Sequence, residues 1–148
     1  MRGTDPREVV RMKKYEIIED LTSDVMFEAY GKSLRELFQN AAQAMFSVIC
    51  RTDLVKARKM LKVEVSAENE EKLLVAWLQE LIALVDTEEM FFSRFEVLEI
   101  DGRHLKARVY GEAIEPGKGG TVVKAVTYYG LSVKKTASGW KARVALDV

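Results

Sequence analysis

The chain has 148 residues, 48% of them hydrophobic and 31% charged, with 23 Lys and Arg balanced by 23 Asp and Glu. That length allows one domain with a real core and leaves too little for two, and a neutral chain has no long-range field to hold nucleic acid non-specifically. A single cysteine, Cys50, excludes an internal disulfide and fits a reducing compartment such as the cytoplasm, and no apolar run approaches the roughly 20 residues of a membrane span.

Residues 1–12 read as a flexible N-terminal extension. They lack the apolar stretch of a secretory signal, and Met12-Lys13-Lys14 is a second candidate start. Residues 13–148 read as the single domain. Its first strand is predicted at Tyr15–Glu19, followed by the polar break Asp20-Leu21-Thr22-Ser23-Asp24. Val25, Phe27 and Ala29 then alternate with Met26, Glu28 and Tyr30, the period of a half-buried strand, which Gly31 closes.

Ser33-Leu34-Arg35-Glu36 is a capping box. Leu34, Leu37, Phe38, Ala41, Met45, Val48 and Ile49 follow at helical spacing, predicting a helix to about Arg51. Cys50 ends that apolar pattern and reads as a buried, inert thiol. Thr52–Lys59 reads as a loop, and Leu61, Val63 and Val65 as the inner face of a strand. Asn69 caps a second helix, with Glu70 and Glu71 at its positive end. Its stripe is Leu73, Leu74, Trp77, Leu78, Leu81, Ile82 and Val85, stopping near Asp86-Thr87-Glu88.

The last third is mainly strands. Phe92–Ile100 and Leu105–Ile114 flank the hairpin signal Asp101-Gly102. Residues 116–120, Pro-Gly-Lys-Gly-Gly, read as a flexible loop. Val122–Tyr128, Leu131–Lys135 and Trp140–Leu146 complete the set, the last two joined by Ala137-Ser138-Gly139. Two amphipathic helices followed by clustered strands predict an α+β fold, with the helices packed on a mostly antiparallel sheet.

Most catalytic sets are absent. His104 lies just beyond the Asp101-Gly102 turn, where a solvated hairpin residue is expected, so a Ser–His–Asp arrangement would rest on one exposed position. There is no CxxC, HExxH or GxxxxGK[ST]. Glu70, Glu71, Asp86, Glu88 and Glu89 sit at helix ends, where capping or solvation explains them. Asp24 ends a polar break just before a half-buried strand. Asp147 follows a strand with no polar tail, and Val148 carries the terminal carboxylate. Brought together, these hard oxygen donors would suit Ca²⁺ or Mg²⁺ rather than zinc, and three anions would repel without a cation between them. A turn aspartate and a frayed end account for the same residues, and nothing local brings 24 and 147 together.

At these residues the sequence resembles the archeases, proteins that assist the RtcB-type RNA-splicing ligase. The family's D-H-T-A-D followed by A-Y-G corresponds to Asp20-Leu21-Thr22-Ser23-Asp24 and Ala29-Tyr30-Gly31. W-L-x-E-L ending in D-T-E corresponds to Trp77-Leu78-Gln79-Glu80-Leu81 and Asp86-Thr87-Glu88; K-A-V-T-Y-[HY]-G-L is complete at Lys124–Leu131; and the tryptophan strand closing on L-D-V is Trp140 with Leu146-Asp147-Val148. The resemblance implies an α+β fold with a strand–helix–strand–strand module. It implies a divalent ion, usually Ca²⁺ with Mg²⁺ or Mn²⁺ as alternatives, on Asp24, Asp147 and Val148, and a Lys124 that faces the ligase partner. It also implies a non-enzymatic, cytoplasmic role in tRNA splicing or RNA repair, promoting ligase guanylylation and multiple turnover, with tRNA or other RNA met mainly through the partner. The sequence departs from the family at Leu21, where a histidine is expected, and at Ser23, where an alanine is; leucine can neither donate a hydrogen bond nor take a proton.

Two other functions stay open on the residues alone. One is a small divalent-metal-dependent phosphoester hydrolase using Asp24 and Asp147, for which no adjacent general base is apparent. The other is a binding module for tRNA or a tRNA-modifying enzyme, since residues 101–148 carry nine Lys and Arg against four Asp and Glu.

Overall fold

The computed structural model describes residues 13–20 and 24–148; the N-terminal extension read at residues 1–12 lies outside them. The elements run β1 (Tyr15–Asp20), β2 (Asp24–Gly31), α1 (Leu34–Ile49), β3 (Lys59–Ser66), α2 (Glu70–Thr87), β4 (Met90–Ile100), β5 (His104–Ala113), β6 (Ala125–Thr136) and β7 (Gly139–Asp147). The α+β expectation holds, and every described strand pairing is antiparallel. The strands divide between two sheets, ordered β1-β2-β7-β6 and β3-β5-β4. The second sheet with α2 is the strand–helix–strand–strand module, set between the two halves of the first.

Local chemistry starts each helix. The Ser33 hydroxyl accepts from the Glu36 backbone N–H at 3.1 Å, and the Asn69 side chain accepts from the Lys72 N–H at 2.9 Å; such caps are worth about 1 kcal/mol each. The Glu36 carboxylate reaches the Lys32 N–H at 3.3 Å, one residue before the cap. α1 lies between the sheets, against β2 and β4, while α2 packs on β3, β4 and β6. The core is continuous across both, with Phe27, Phe38, Phe46, Trp77 and Phe92 fully enclosed. Burying a large apolar side chain of this kind contributes about 1.5–3 kcal/mol. The Trp77 indole N–H, enclosed with the rest, donates to the Phe38 carbonyl at 3.0 Å and ties α2 to α1.

The glycine-rich loop departs from its sequence reading. Pro116–Lys118 forms a 3₁₀ turn, and the residues after it close the end of α1. The Gly120 and Thr121 N–H groups donate to the Ile49 and Val48 carbonyls at 2.7 and 2.9 Å, and Arg51 N–H donates to the Lys118 carbonyl at 2.8 Å. The first two bonds satisfy carbonyls a helix end leaves unpaired, and together the three explain why α1 stops at Ile49, short of Arg51. The approach needs a glycine, because a Cβ at Gly120 would lie 2.5 Å from the Val48 carbonyl oxygen. Cys50 caps the helix and is buried as expected; burial pushes its thiol up to about 12.

β6 also differs. It begins at Ala125 rather than Val122, and it runs unbroken to Thr136. Thr127 pairs with Ala145 but Ser132 pairs with Arg143, so Tyr128-Tyr129-Gly130-Leu131 stands opposite Val144 alone. The excess residues form a large, special bulge that the alternation of the sequence reads as a gap between two strands.

Candidate functional site

The first sheet buries one face under α1 and leaves the other open. Val25, Phe27 and Ala29 of β2 point inward, as do Ala142, Val144 and Leu146 of β7. Alternation therefore puts Asp24, Met26, Glu28 and Tyr30 on the opposite face, together with Lys141, Arg143, Ala145 and Asp147.

On that face Asp24 is directly paired with Asp147. Directly opposed residues point to the same side with Cβ atoms about 4.5–5.5 Å apart, and like charges so placed destabilise a sheet. Both are half-buried. Val148 follows Asp147, its side chain packed against the core. Asp147 is flanked on its other side by Ala125 of β6, and its carbonyl accepts from the Lys124 N–H at 2.8 Å. The four residues singled out in the sequence, Asp24, Lys124, Asp147 and Val148, thus share one end of the first sheet, with the Lys124 side chain exposed. Leu21 and Ser23 lie outside the described residues.

The oxygen chemistry of this tip fits a hard cation. Two opposed carboxylates offer only oxygen, the donor Ca²⁺ and Mg²⁺ prefer, and a cation between them would relieve their repulsion. Among the described residues no three His, Cys, Asp or Glu side chains converge as a metal cluster. An ion at the tip would therefore need the Val148 carboxylate, backbone carbonyls or water beside the two aspartates.

Further along the same face is a cluster of opposite character. Glu28, 7% exposed, accepts from Arg143 Nη2 at 3.0 Å and from the Tyr30 hydroxyl at 3.0 Å, with Lys141 Nζ at 3.4 Å. Burial pushes the Glu28 carboxyl up, but the Tyr30 and Arg143 hydrogen bonds and the Lys141 charge outweigh it and hold it below the usual range. Burial and the Glu28 charge push the Tyr30 phenol upward. These groups satisfy one another and form a floor on the same face as the tip.

Between the two lies the β6 bulge. Gly130 takes a φ of +67°, which a β-carbon disfavours, and packs near the Met26 methyl and the Arg143 side chain. The Tyr129 N–H donates to the Thr127 hydroxyl at 3.2 Å. So anchored, the bulge leaves Tyr128 63% and Tyr129 76% exposed. Tyrosine is enriched at protein interfaces, and here two stand beside the carboxylate tip. The sequence signal is Tyr-Tyr-Gly, which by alternation alone reads as a strand break rather than a projection.

His104 sits elsewhere, at the start of β5 in the second sheet. Its Nδ1 lies 2.9 Å from the Ser66 hydroxyl and its Nε2 3.0 Å from Glu64, a Ser–His–Glu chain across β3 and β5. Ser66 and Glu64 are exposed and His104 is only half-buried, so the chain is open to solvent. Oxyanion stabilisation depends on preorganised donors in a water-excluded site, so the chain is best explained as a cross-strand polar contact.

The family model described as the archease protein family matches residues 15–148. The protein archease of Methanosarcina mazei is 43% identical over 142 residues, covering 92% of this chain and 97% of the relative. That of Methanosarcina acetivorans is 44% identical with the same coverage. The solution structure of protein 1598 of Methanobacterium thermoautotrophicum superposes with a TM-score of 0.80 at 40% identity, covering 93% of this chain and 100% of that one. A crystal structure from Thermotoga maritima, described as an archease, possible chaperone, has a TM-score of 0.64 at 19% identity, covering 90% of this chain and 97% of that one, and is alike in fold.

Proposed function

The chain belongs to the archease family, and from that membership we propose that it is a metal-binding accessory protein of an RtcB-type RNA-splicing ligase, working in tRNA splicing or RNA repair. The observation that carries the reading is the Asp24–Asp147 pair at the end of β2 and β7. A protein that only had to fold would gain from replacing one of two opposed aspartates. Keeping both is reasonable if they hold a cation.

In this reading Asp24 and Asp147, completed by the Val148 carboxylate, bind a divalent ion, Ca²⁺ first with Mg²⁺ and Mn²⁺ as alternatives. When bound, the ion supplies positive charge for phosphate oxygens and helps guanylylation. Lys124, exposed beside the tip, offers a second cation to phosphate, and Tyr128 and Tyr129 contact the ligase protein. RNA is met mainly through that partner, consistent with a net charge of zero. The role is not that of an independent enzyme.

The reading is tested by RNA ligation with substrate in large excess over the cognate ligase. The chain alone should join nothing and cleave no phosphoester, and with the ligase it should convert a single round into many. Unchanged ligase turnover with folded protein from the same organism would overturn the reading. Metal-dependent phosphoester cleavage by the chain alone, abolished by Asp24→Asn, would replace it with a hydrolase.

A further inference from the structure

A second feature adjoins the tip and is not used by it. Where the Gly119–Val123 segment crosses the C-terminal end of α2, a cleft of about 230 Å³ opens, walled by Ile82, Val85, Phe91, Ile114 and Val122. Val122 is 77% exposed and Ile114 38%. Pockets that enclose whole small molecules run to about 300–1,000 Å³. At 230 Å³ the cleft suits one large apolar side chain better than a cofactor.

The lip is acidic. Asp86 lines the cleft, Glu88 caps α2 and Glu89 follows, while Glu115, next to Ile114, is paired with Lys118 Nζ at 3.4 Å. The last turn of α2 has no basic residue, so acidic groups crowd the helix end where the backbone dipole is already negative, an unfavourable arrangement that a cation would relieve. Among the described residues, Asp86, Glu88 and Glu89 have no ion-pair partner. Glu89 has a φ of +51°, and its carbonyl accepts from the Ile114 N–H at 3.0 Å, which ties the two sides of the lip together.

The geometry points to this cleft as a docking pocket for a protein segment that inserts one apolar side chain flanked by Lys or Arg, and that belongs to the same partner the carboxylate tip engages. The partner's identity rests on the function proposed above. The location supports one partner spanning both, because Val123 lines the cleft and the next residue, Lys124, donates to Asp147. Apolar insertion would give the contact its affinity, and the acidic lip would select the flanking charges and bring them in.

The test is calorimetric binding of the full chain to its cognate ligase at low and moderate salt, using wild type, Val122→Asp and Asp86→Lys. Both positions are exposed, so both variants should fold. Each is expected to weaken ligase binding at least tenfold while leaving Ca²⁺ affinity at the wild-type value. Asp86→Lys should also raise the Tm of the free chain, since it places a cation at the helix C-terminus, and its binding should lose much of the salt dependence seen in wild type. Wild-type ligase affinity in both variants would overturn the docking pocket and leave the proposed function standing. No ligase binding by wild type itself would overturn both. A wild-type dimer in sedimentation that Val122→Asp dissociates would overturn it in favour of a second copy of this chain.

Discussion

Asp24 stands directly opposite Asp147 on neighbouring antiparallel strands, with both carboxylates on the face of the sheet away from α1. The two come from the first and last long strands of the chain, so the pair exists only when the sheet has closed. Like charges in this position cost about 0.2–1 kcal/mol. In urea unfolding with EDTA, Asp147→Asn should therefore be at least as stable as wild type. With Ca²⁺ at 100 times its Kd, wild type should gain about 2.7 kcal/mol and the variant little. A variant less stable than wild type in EDTA would mean that the pair is supported by something other than a cation.

The Glu28 cluster makes the opposite prediction. Glu28 is buried against Arg143, Lys141 and Tyr30, so Glu28→Gln leaves a neutral amide among groups arranged for a carboxylate. Loss of charged hydrogen bonds predicts a destabilisation of about 1.5–3 kcal/mol at neutral pH, read from the urea midpoint, with Ca²⁺ affinity little changed. An equal loss of Ca²⁺ binding would mean that the floor and the tip act as one site.

Tyr128 and Tyr129 are too exposed to matter to the core. The double substitution to Ser should change stability by no more than about 0.5 kcal/mol and leave metal binding intact, yet weaken ligase binding tenfold or more. Stimulation of ligation at wild-type protein concentrations would exclude the bulge from the interface.

Acid stability should depend on Glu112, which lies far from the tip. The Lys118 ammonium at 2.8 Å and the Lys56 N–H at 2.8 Å hold its carboxyl at about 2, against an ordinary value of 4.5. A folded value below the unfolded one means that the stabilisation is complete above pH 4.5 and is lost as pH falls from there toward 2. Lys118 is raised by the same contact, so its contribution is present at neutral pH and is lost only as pH rises through its folded value. Glu112→Gln should flatten the stability profile between pH 4.5 and 2. An unchanged slope there would assign acid unfolding to other carboxylates.

Much of the fold is written locally in the chain. The Ser33 and Asn69 caps, the stripe from Leu73 to Ile82 and the turn at Asp101-Gly102 each depend on residues a few positions apart, which a sequence displays directly. What depends on partners distant in sequence is not displayed. The strands fall into two sheets because β7 pairs with β2, and no local pattern specifies that register. The loop at 116–120 reads as flexible because its partners, the carbonyls of Val48 and Ile49, belong to a helix far upstream. Ser66 and Glu64 find His104 only through the β3–β5 register. Asp24 and Asp147 were singled out as hard donors by type and by resemblance, while their pairing is a property of the closed sheet. The tyrosine bulge is not legible in the sequence, because extra residues in one strand break the alternation that marks a strand.

The most direct test is formation of the ligase–guanylate adduct from labelled GTP, measured with wild type, with Asp147→Ala, and with a chain lengthened by two residues beyond Val148. Wild type should accelerate the adduct at least tenfold, and Asp147→Ala should not. The lengthened chain keeps both aspartates but moves the terminal carboxylate, and it should lose both acceleration and Ca²⁺ affinity. Full acceleration by Asp147→Ala would contradict a role for the carboxylate tip in ligase activation.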